Sequence, residues 1–148
     1  MPDQIYCYSV KFVCGIQEPT QDCTSVRPGV YATEINIHNF KDTETLIEKY
    51  VLPVVLVGDA TKGREPGYVK PIANHSITLP PHTATMDDCC SISELLHNTP
   101  LPLIPVTIGF LVIESPQELN VTAVYTVSDV RRSGFISIDV EQVVGKLK

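Results

Sequence analysis

The sequence contains no tryptophan, no long apolar run and no excess of basic residues. A membrane-spanning helix needs about 20 apolar residues, and the longest apolar stretches are far shorter, at residues 51–57 and 106–113. There are 11 Lys and Arg against 17 Asp and Glu, which gives a net charge of −6. Because phosphate contacts dominate affinity for nucleic acids, this acidic balance argues against such a partner, and we expect no membrane span.

The N-terminal sequence, Met-Pro-Asp-Gln, lacks the basic and apolar regions of a secretory signal peptide. We therefore expect the chain to be made in the cytoplasm, and either to remain there or to reach a cell surface, a spore surface or the extracellular space after release. Its 148 residues, 43% of them hydrophobic, fit one domain over residues 1–148. Residues 1–14 are a candidate N-terminal arm or exchanged strand.

Alternating apolar and polar residues recur between Gly and Pro residues, a pattern typical of antiparallel strands. Residues 91–98 are the best helical segment, because Ser91 or Ser93 can cap it and its apolar side chains share one face. The sequence thus predicts an all-β antiparallel β-sandwich or jelly roll of about seven or eight strands, with one short helix near 91–98. The strand segments are 5–14, 30–39, 40–57, 75–79, 106–114, 119–127 and 134–143.

Four of these segments carry more specific predictions. Residues 40–57 resemble a helix at one end and a strand at the other, and the neighbouring strands favour one long or broken strand. Residues 106–114 and 119–127 flank a tight turn and are predicted to form a hairpin. In the last segment, alternation is expected to direct three side chains towards the core, namely Ile136, Ile138 and Val140.

No complete catalytic or metal-binding motif is present. A thiol at Cys89 or Cys90 would gain nucleophilicity from the start of a helix, but the charges of Asp87 and Asp88 oppose a thiolate. The four histidines form no H-x-H pair, and the cysteines form no C-x-x-C pair. We therefore expect a protein that is not an enzyme, with no metal and no cofactor.

The cysteines are the most informative residues. Their odd number leaves at least one free or bonded to another chain. Adjacent cysteines rarely bond to each other because the small ring strains the peptide unit, but Cys89 and Cys90 can bond to two different partners. Either the pair is a cross-link point, or it consists of one buried and one exposed inert thiol. The candidates for disulfides or cross-links are Cys7, Cys14, Cys23, Cys89 and Cys90.

Five strand motifs carry a resemblance to a known family. They are KFVCG (11–15), PGVYATEINIHN (28–39), GFLVIES (109–115), LNVTAVYT (119–126) and SIDVEQV (137–143). Together they resemble an uncharacterised family of small bacterial all-β proteins, which implies a single β-sandwich domain and neither an enzyme activity nor catalytic residues. The adjacent cysteines give a looser resemblance to disulfide-linked jelly-roll subunits of bacterial spore appendages.

These features predict a structural protein that assembles with copies of itself into a bacterial surface or extracellular filament, appendage or coat. Strand pairing at exposed sheet edges would join the subunits, with disulfide cross-links as a candidate lock. The candidate inter-subunit strand contains Ile5, Tyr6, Tyr8, Val10 and Phe12.

Two other classes of function stay open at this point. One is a β-sandwich ligand-binding or adhesion module, in which exposed tyrosines on one face would form the binding platform. The other is a thiol- or metal-dependent enzyme at Cys89 or Cys90. The tyrosines are Tyr6, Tyr8, Tyr31, Tyr50, Tyr68 and Tyr125.

Overall fold

The structure, a computed structural model, describes residues 4–19, 25–56, 63–97, 105–130 and 136–148. The predicted antiparallel β-sandwich is confirmed, and the described residues form nine strands and one helix rather than seven or eight strands. The elements are β1 (Tyr6–Gln17), β2 (Gly29–His38), β3 (Thr45–Val55), β4 (Ile72–Leu79), β5 (Ala84–Asp88), α1 (Cys89–His97), β6 (Thr107–Ser115), β7 (Asn120–Ser128), β8 (Ile136–Val143) and β9 (Lys146–Leu147).

One strand, β1, connects the two layers of the sandwich. Residues 6–14 of β1 pair with β6, and residues 15–17 pair with β2. Gly15 lies where the strand passes between the layers, and its φ of 107° is in the left-handed region that glycine adopts without a Cβ penalty. The sheet is therefore continuous but not closed, in the order β4-β3-β6-β1-β2-β7-β8, with β5 beside β2 and β9 beside β1.

The core lies between the inward faces of both layers. Alternation along β1 places Tyr8, Val10 and Phe12 on its inward face, where they are buried. The Tyr8 hydroxyl donates to the Leu119 carbonyl oxygen (2.9 Å) and accepts the Leu119 N–H (2.7 Å). This pair of bonds ties the first strand to the start of β7, in the opposite layer. The other strands contribute Ile35, Ile37, Ile47, Val51, Leu111, Ile113, Val121 and Ala123.

The predicted hairpin of residues 106–114 and 119–127 is wrong. Although β6 and β7 are consecutive, β6 pairs with β1 and β3, whereas β7 pairs with β2 and β8. The connection is an arch between layers, held by the Tyr8 hydroxyl and by Gln117, whose amide donates to Asn39 Oδ1 (2.9 Å). The sequence spacing predicts a tight turn between paired strands, whereas these side-chain contacts hold a connection that passes from one layer to the other.

Two other expectations need a change. Segment 40–57 is confirmed as a strand, β3, and its helical end is part of that strand. The helix begins at Cys89, earlier than expected, and its N-cap is Asp88, whose Oδ1 accepts the Ser91 N–H (2.9 Å), rather than Ser91 or Ser93. The two adjacent cysteines are therefore the first residues of α1.

Candidate functional site

A disulfide joins Cys14 and Cys89, at a gap in the pairing along β2. One side of β2 pairs with the end of β1 at residues 29–31 and with β5 at residues 34–38. Between these two stretches, the Thr33 N–H donates to Cys89 Sγ (3.3 Å), and the Thr33 hydroxyl bonds to both backbone polar groups of Val13. The disulfide thus fastens the point where β1 changes layers to the start of the helix.

The remaining cysteines differ in exposure. Cys90 is exposed, and Cys7 is half-buried with a free thiol. Burial raises the pKa of the Cys7 thiol, and the nearby Glu114 carboxylate raises it further. Cys23 lies outside the described residues. Of the adjacent pair, therefore, one sulfur is bonded inside the chain and the other faces solvent, and a bond to another chain stays a prediction.

The candidate inter-subunit strand lies inside the chain's own sheet. Ile5 precedes β1, its carbonyl accepts the Lys148 N–H (3.0 Å), and the first residues of β1 pair with both β6 and β9. Tyr8, Val10 and Phe12 are core residues with an exposure of 1% or less. In this conformation β6 pairs with residues 6–14 of β1, and among the described strands β9 and β2 pair with its other side at residues 6–7 and 15–17. Between these stretches the Tyr125 hydroxyl bonds to the Lys11 carbonyl oxygen and the Thr33 hydroxyl bonds to Val13, so side chains of the same subunit contact the rest of this edge. Joining subunits through the core residues of β1 would therefore require exchange of the strand.

The last long strand, β8, has both faces largely exposed. Ile136, Ile138 and Val140 are 64%, 67% and 64% exposed, so the prediction that they face the core is wrong. They lie on the outer side of the sheet, beside Ser128, Thr126 and Val124 of β7. Within β8 only Val143 is buried, so the opposite layer covers little of this strand. We call Ile136, Ile138 and Val140 the apolar row.

The other face of β8 is acidic. Asp139 and Glu141 line a groove of about 350 Å³ together with Lys11 and Tyr125. The Tyr125 hydroxyl donates to the Lys11 carbonyl oxygen (2.9 Å). Burial and then the carboxylates of Glu141 and Asp139 raise the pKa of Tyr125 to about 12. This face therefore carries two carboxylates on a sheet edge.

The opposite end of the sheet is β4, whose one neighbour among the described strands is β3. Lys70 precedes it, and His75 lies on it, both exposed. Between Lys49–His75 and Val51–Ile72 the register shifts, because β4 has one more residue than β3 over this stretch. Ala73, within this bulge, has a φ of 61°, a left-handed conformation that is strained for a residue with a Cβ.

A buried ion pair lies beside β4, and sequence reasoning missed it. The Lys49 ammonium donates to Asp87 Oδ2 (2.9 Å), and the two side chains are 5% and 4% exposed. The Ser91 hydroxyl donates to Asp87 Oδ1 (2.6 Å). The signal for Lys49 was its position in β3, where it alternates with Ile47 and Val51 on the inward face.

The six tyrosines do not form a shared platform. Tyr8 is in the core, Tyr6 and Tyr125 pack against it, and Tyr31 packs against a separate cluster around Val106. Tyr68 is 78% exposed in the stretch before β4. The tyrosine-platform version of a ligand-binding module therefore lacks a continuous surface.

The described residues contain no helix that is long and apolar enough to cross a membrane. In the same part of the chain, no three His, Cys, Asp or Glu side chains are grouped closely enough to hold a metal ion.

Comparison with known proteins supports the fold. No protein-family model matches the sequence, and no curated protein matches it either. The crystal structure of Thermotoga maritima 1070 is similar to this chain with a TM-score of 0.54 and 10% sequence identity. The similarity covers 97% of this chain and 96% of that one. At this identity the likeness concerns the fold alone.

Proposed function

We propose that this protein is a structural subunit that assembles with copies of itself, and that β8 of one copy pairs with β4 of the next. The observation that carries the proposal is the apolar row, because Ile136, Ile138 and Val140 are each about two-thirds exposed on a strand with one neighbour. An edge strand presents unpaired backbone groups, which are a template for another strand.

The side chains of β8 add a driving force to that template. Full burial of an Ile or Val side chain contributes roughly 1.5–3 kcal/mol relative to exposure, so covering even part of the row favours association. Apolar side chains that are exposed together, rather than singly, are typical of interaction surfaces. The side chains of the apolar row are exposed together, because alternation places them at every second residue of β8 and therefore on one face.

Charge decides between the available edges. Two β8 strands pairing with each other would bring the Asp139 and Glu141 carboxylates of both copies together, which is unfavourable. The β4 edge instead offers the Lys70 ammonium and the His75 imidazole. Pairing of β8 with β4 is therefore favoured, and because these edges are at opposite ends of the sheet, it joins subunits head to tail.

Head-to-tail contacts form rings if the rotation closes and open filaments if it does not. The proposed contact is non-covalent, since neither β4 nor β8 contains a cysteine, and a disulfide from the exposed Cys90 to another chain stays a separate prediction. The role of such an assembly at a bacterial surface or in a spore appendage stays a prediction of the sequence.

The first experiment compares Ile138→Lys with Leu46→Lys by sedimentation over a concentration series. Ile138 is on the β8 edge, whereas Leu46 is 51% exposed on β3, which has a neighbour on each side. We expect the wild type and Leu46→Lys to form oligomers that grow with concentration, and Ile138→Lys to be at least about tenfold weaker in association. A monomeric wild type at all concentrations, or equal behaviour of the two variants, would overturn the proposal.

A mixing experiment tests the choice of edge. Ile138→Lys blocks β8 and keeps β4, whereas Lys70→Glu/Ser76→Glu keeps β8 and adds carboxylates to β4. Head-to-tail pairing predicts that each variant alone is mainly monomeric and that the mixture forms a one-to-one dimer. If the β4 variant alone formed dimers through its intact β8, the pairing would be symmetric and the head-to-tail assignment would be wrong.

A further inference from the structure

A polar cavity of about 370 Å³ opens between β4 and the first turns of α1. Its inner end is formed by the side chains of Lys49 and Asp87, which are buried, and of Ser91, which is half-buried. An ammonium has three N–H donors, and among the described residues Asp87 Oδ2 is the acceptor bonded to that of Lys49. Asp87 in turn accepts from both Lys49 and Ser91, so its two oxygens are occupied. Lys49 therefore retains donor capacity in the cavity.

The mouth of the cavity combines polar and apolar groups. Asn74 and His75 come from β4, and Glu94 comes from α1, all exposed to solvent. Ala73 and Leu95, both half-buried, supply apolar surface. The cavity thus has hydrogen-bond donors at its deep end, a carboxylate acceptor at its mouth and a small apolar wall.

Two features beside this cavity, the buried ion pair and the strained bulge, lower the stability of the fold. An ion pair that is removed from water loses hydration that its mutual attraction only partly restores. The adjacent bulge holds Ala73 at a φ of 61° and thereby sets the course of Asn74 and His75 along the wall. Strained backbone and bulges concentrate at functional sites, so both features point to binding at this cavity.

The chemistry of the lining narrows the ligand class. The carboxylates of Asp87 and Glu94 outnumber the single Lys49 ammonium, which disfavours an anion such as phosphate. Apart from the His75 imidazole, the lining has no aromatic ring on which a planar ligand would stack. A hydroxyl group both accepts and donates, so a polyhydroxylated neutral molecule fits a buried donor and an acceptor at the mouth.

We propose that this cavity binds a neutral sugar unit, with the Lys49 ammonium donating to one hydroxyl and the Glu94 carboxylate accepting from another. Leu95 and Ala73 contact the C–H groups of the ring. The site shares β4 and the His75 side chain with the proposed assembly contact, but Ser91 and Glu94 lie on α1, so shifts at these two residues report on the cavity and not on the apolar row of β8.

The test is an amide NMR titration of the full chain with glucose, galactose, mannose and N-acetylglucosamine, each as the free sugar and as a short oligomer. Inorganic phosphate and methylammonium serve as an anionic and a cationic probe. We expect at least one sugar to cause saturable shifts at His75, Ser91 and Glu94, and neither charged probe to do so. Tighter binding of the oligomer than of the free sugar would identify the ligand as part of a glycan.

The matched variants are Glu94→Gln and Glu48→Gln, which remove the same charge from exposed positions. Glu48 is next to Lys49 in β3 but on the outer face of the sheet, away from the cavity. We expect Glu94→Gln to weaken sugar binding about tenfold and Glu48→Gln to leave it unchanged. Absence of saturation with every sugar, equal effects of the two variants, or shifts at these residues with phosphate or methylammonium would overturn the assignment.

Discussion

Loss of the Cys14–Cys89 disulfide should lower the free energy of unfolding substantially, because the bond closes a long loop. The two cysteines are 75 residues apart, and the loop contains β2, β3, β4 and β5. In the chain-entropy description, a cross-link over that distance restricts the unfolded chain by about 4.5 kcal/mol at 25 °C. Removal of a native disulfide typically costs about 2–5 kcal/mol, so we expect a loss of about 3–4 kcal/mol.

The assay is urea unfolding of the oxidised protein, the reduced protein and the variant Cys14→Ala/Cys89→Ala. With a slope of about 2 kcal/mol per molar, the midpoint should fall by about 1.5–2 M. Reduction changes no side-chain volume, whereas the Ala variant also removes a buried sulfur, so the variant should be the least stable of the three. Cys90→Ala, at an exposed residue, is the control and should unfold like the wild type.

Two results would refute the reasoning behind this prediction. One is an unchanged midpoint after complete reduction of the disulfide. The other is peptide mapping that finds Cys14 or Cys89 as a free thiol or bonded to Cys23. The mapping also reports whether the exposed Cys90 is bonded to a second chain, which is one of the two alternatives that the sequence left open.

Three further predictions follow from single contacts. Tyr8→Phe leaves the N–H and carbonyl of Leu119 unpaired in the core and should cost about 2 kcal/mol, measured by urea unfolding; an effect below about 0.5 kcal/mol would contradict the buried pairing. In Gly109→Ala the new Cβ would meet the Leu52 carbonyl oxygen on the neighbouring strand, so the melting temperature should fall, by an amount equivalent to about 1–3 kcal/mol; an unchanged melting temperature would show that the strands separate easily. The raised pKa of Tyr125, about 12 against the usual 10.0, means that the folded state keeps its proton longer than the unfolded state, so stability should decline as the pH rises from about 10 to about 12. Tyr125→Phe should remove the late part of the tyrosinate absorbance titration, and an identical titration in the variant would contradict the shift.

Alternation along a strand was enough to separate the two faces of β1, because Tyr8, Val10 and Phe12 are large and apolar over a long segment. It did not place these residues in the core, since the sequence assigned them to a candidate inter-subunit strand. The same rule was wrong for β8, since alternation defines two faces but not which of them another layer covers. In β8 the opposite layer covers little of either face, and the apolar face is the outer one.

Contacts that are distant in sequence could not be predicted either. The partner of Lys49 is Asp87, 38 residues later, and no local pattern links a lysine in one strand to a carboxylate before a helix. The same limit applies to the disulfide, where Cys14 and Cys23 were both open as partners of Cys89. For the arch between β6 and β7, the local turn residues favoured a hairpin. The contact that holds the arch instead, between the Tyr8 hydroxyl and Leu119, is distant in sequence.

The position of β1 in both layers has a consequence for how the chain folds. The strand β1 is synthesised before its partner β6, whose residues follow roughly 100 positions later, and such non-local pairing slows folding. Until then, a long strand with an apolar face and two unpaired edges is accessible to any other chain. Exchange of β1 between nascent or refolding copies therefore competes with correct folding, and the yield of monomer on refolding should fall as the protein concentration rises. In an assembly formed by strand exchange, the β1 beside β6 comes from another copy. In an assembly formed by addition at β8, the β1 beside β6 belongs to the same chain.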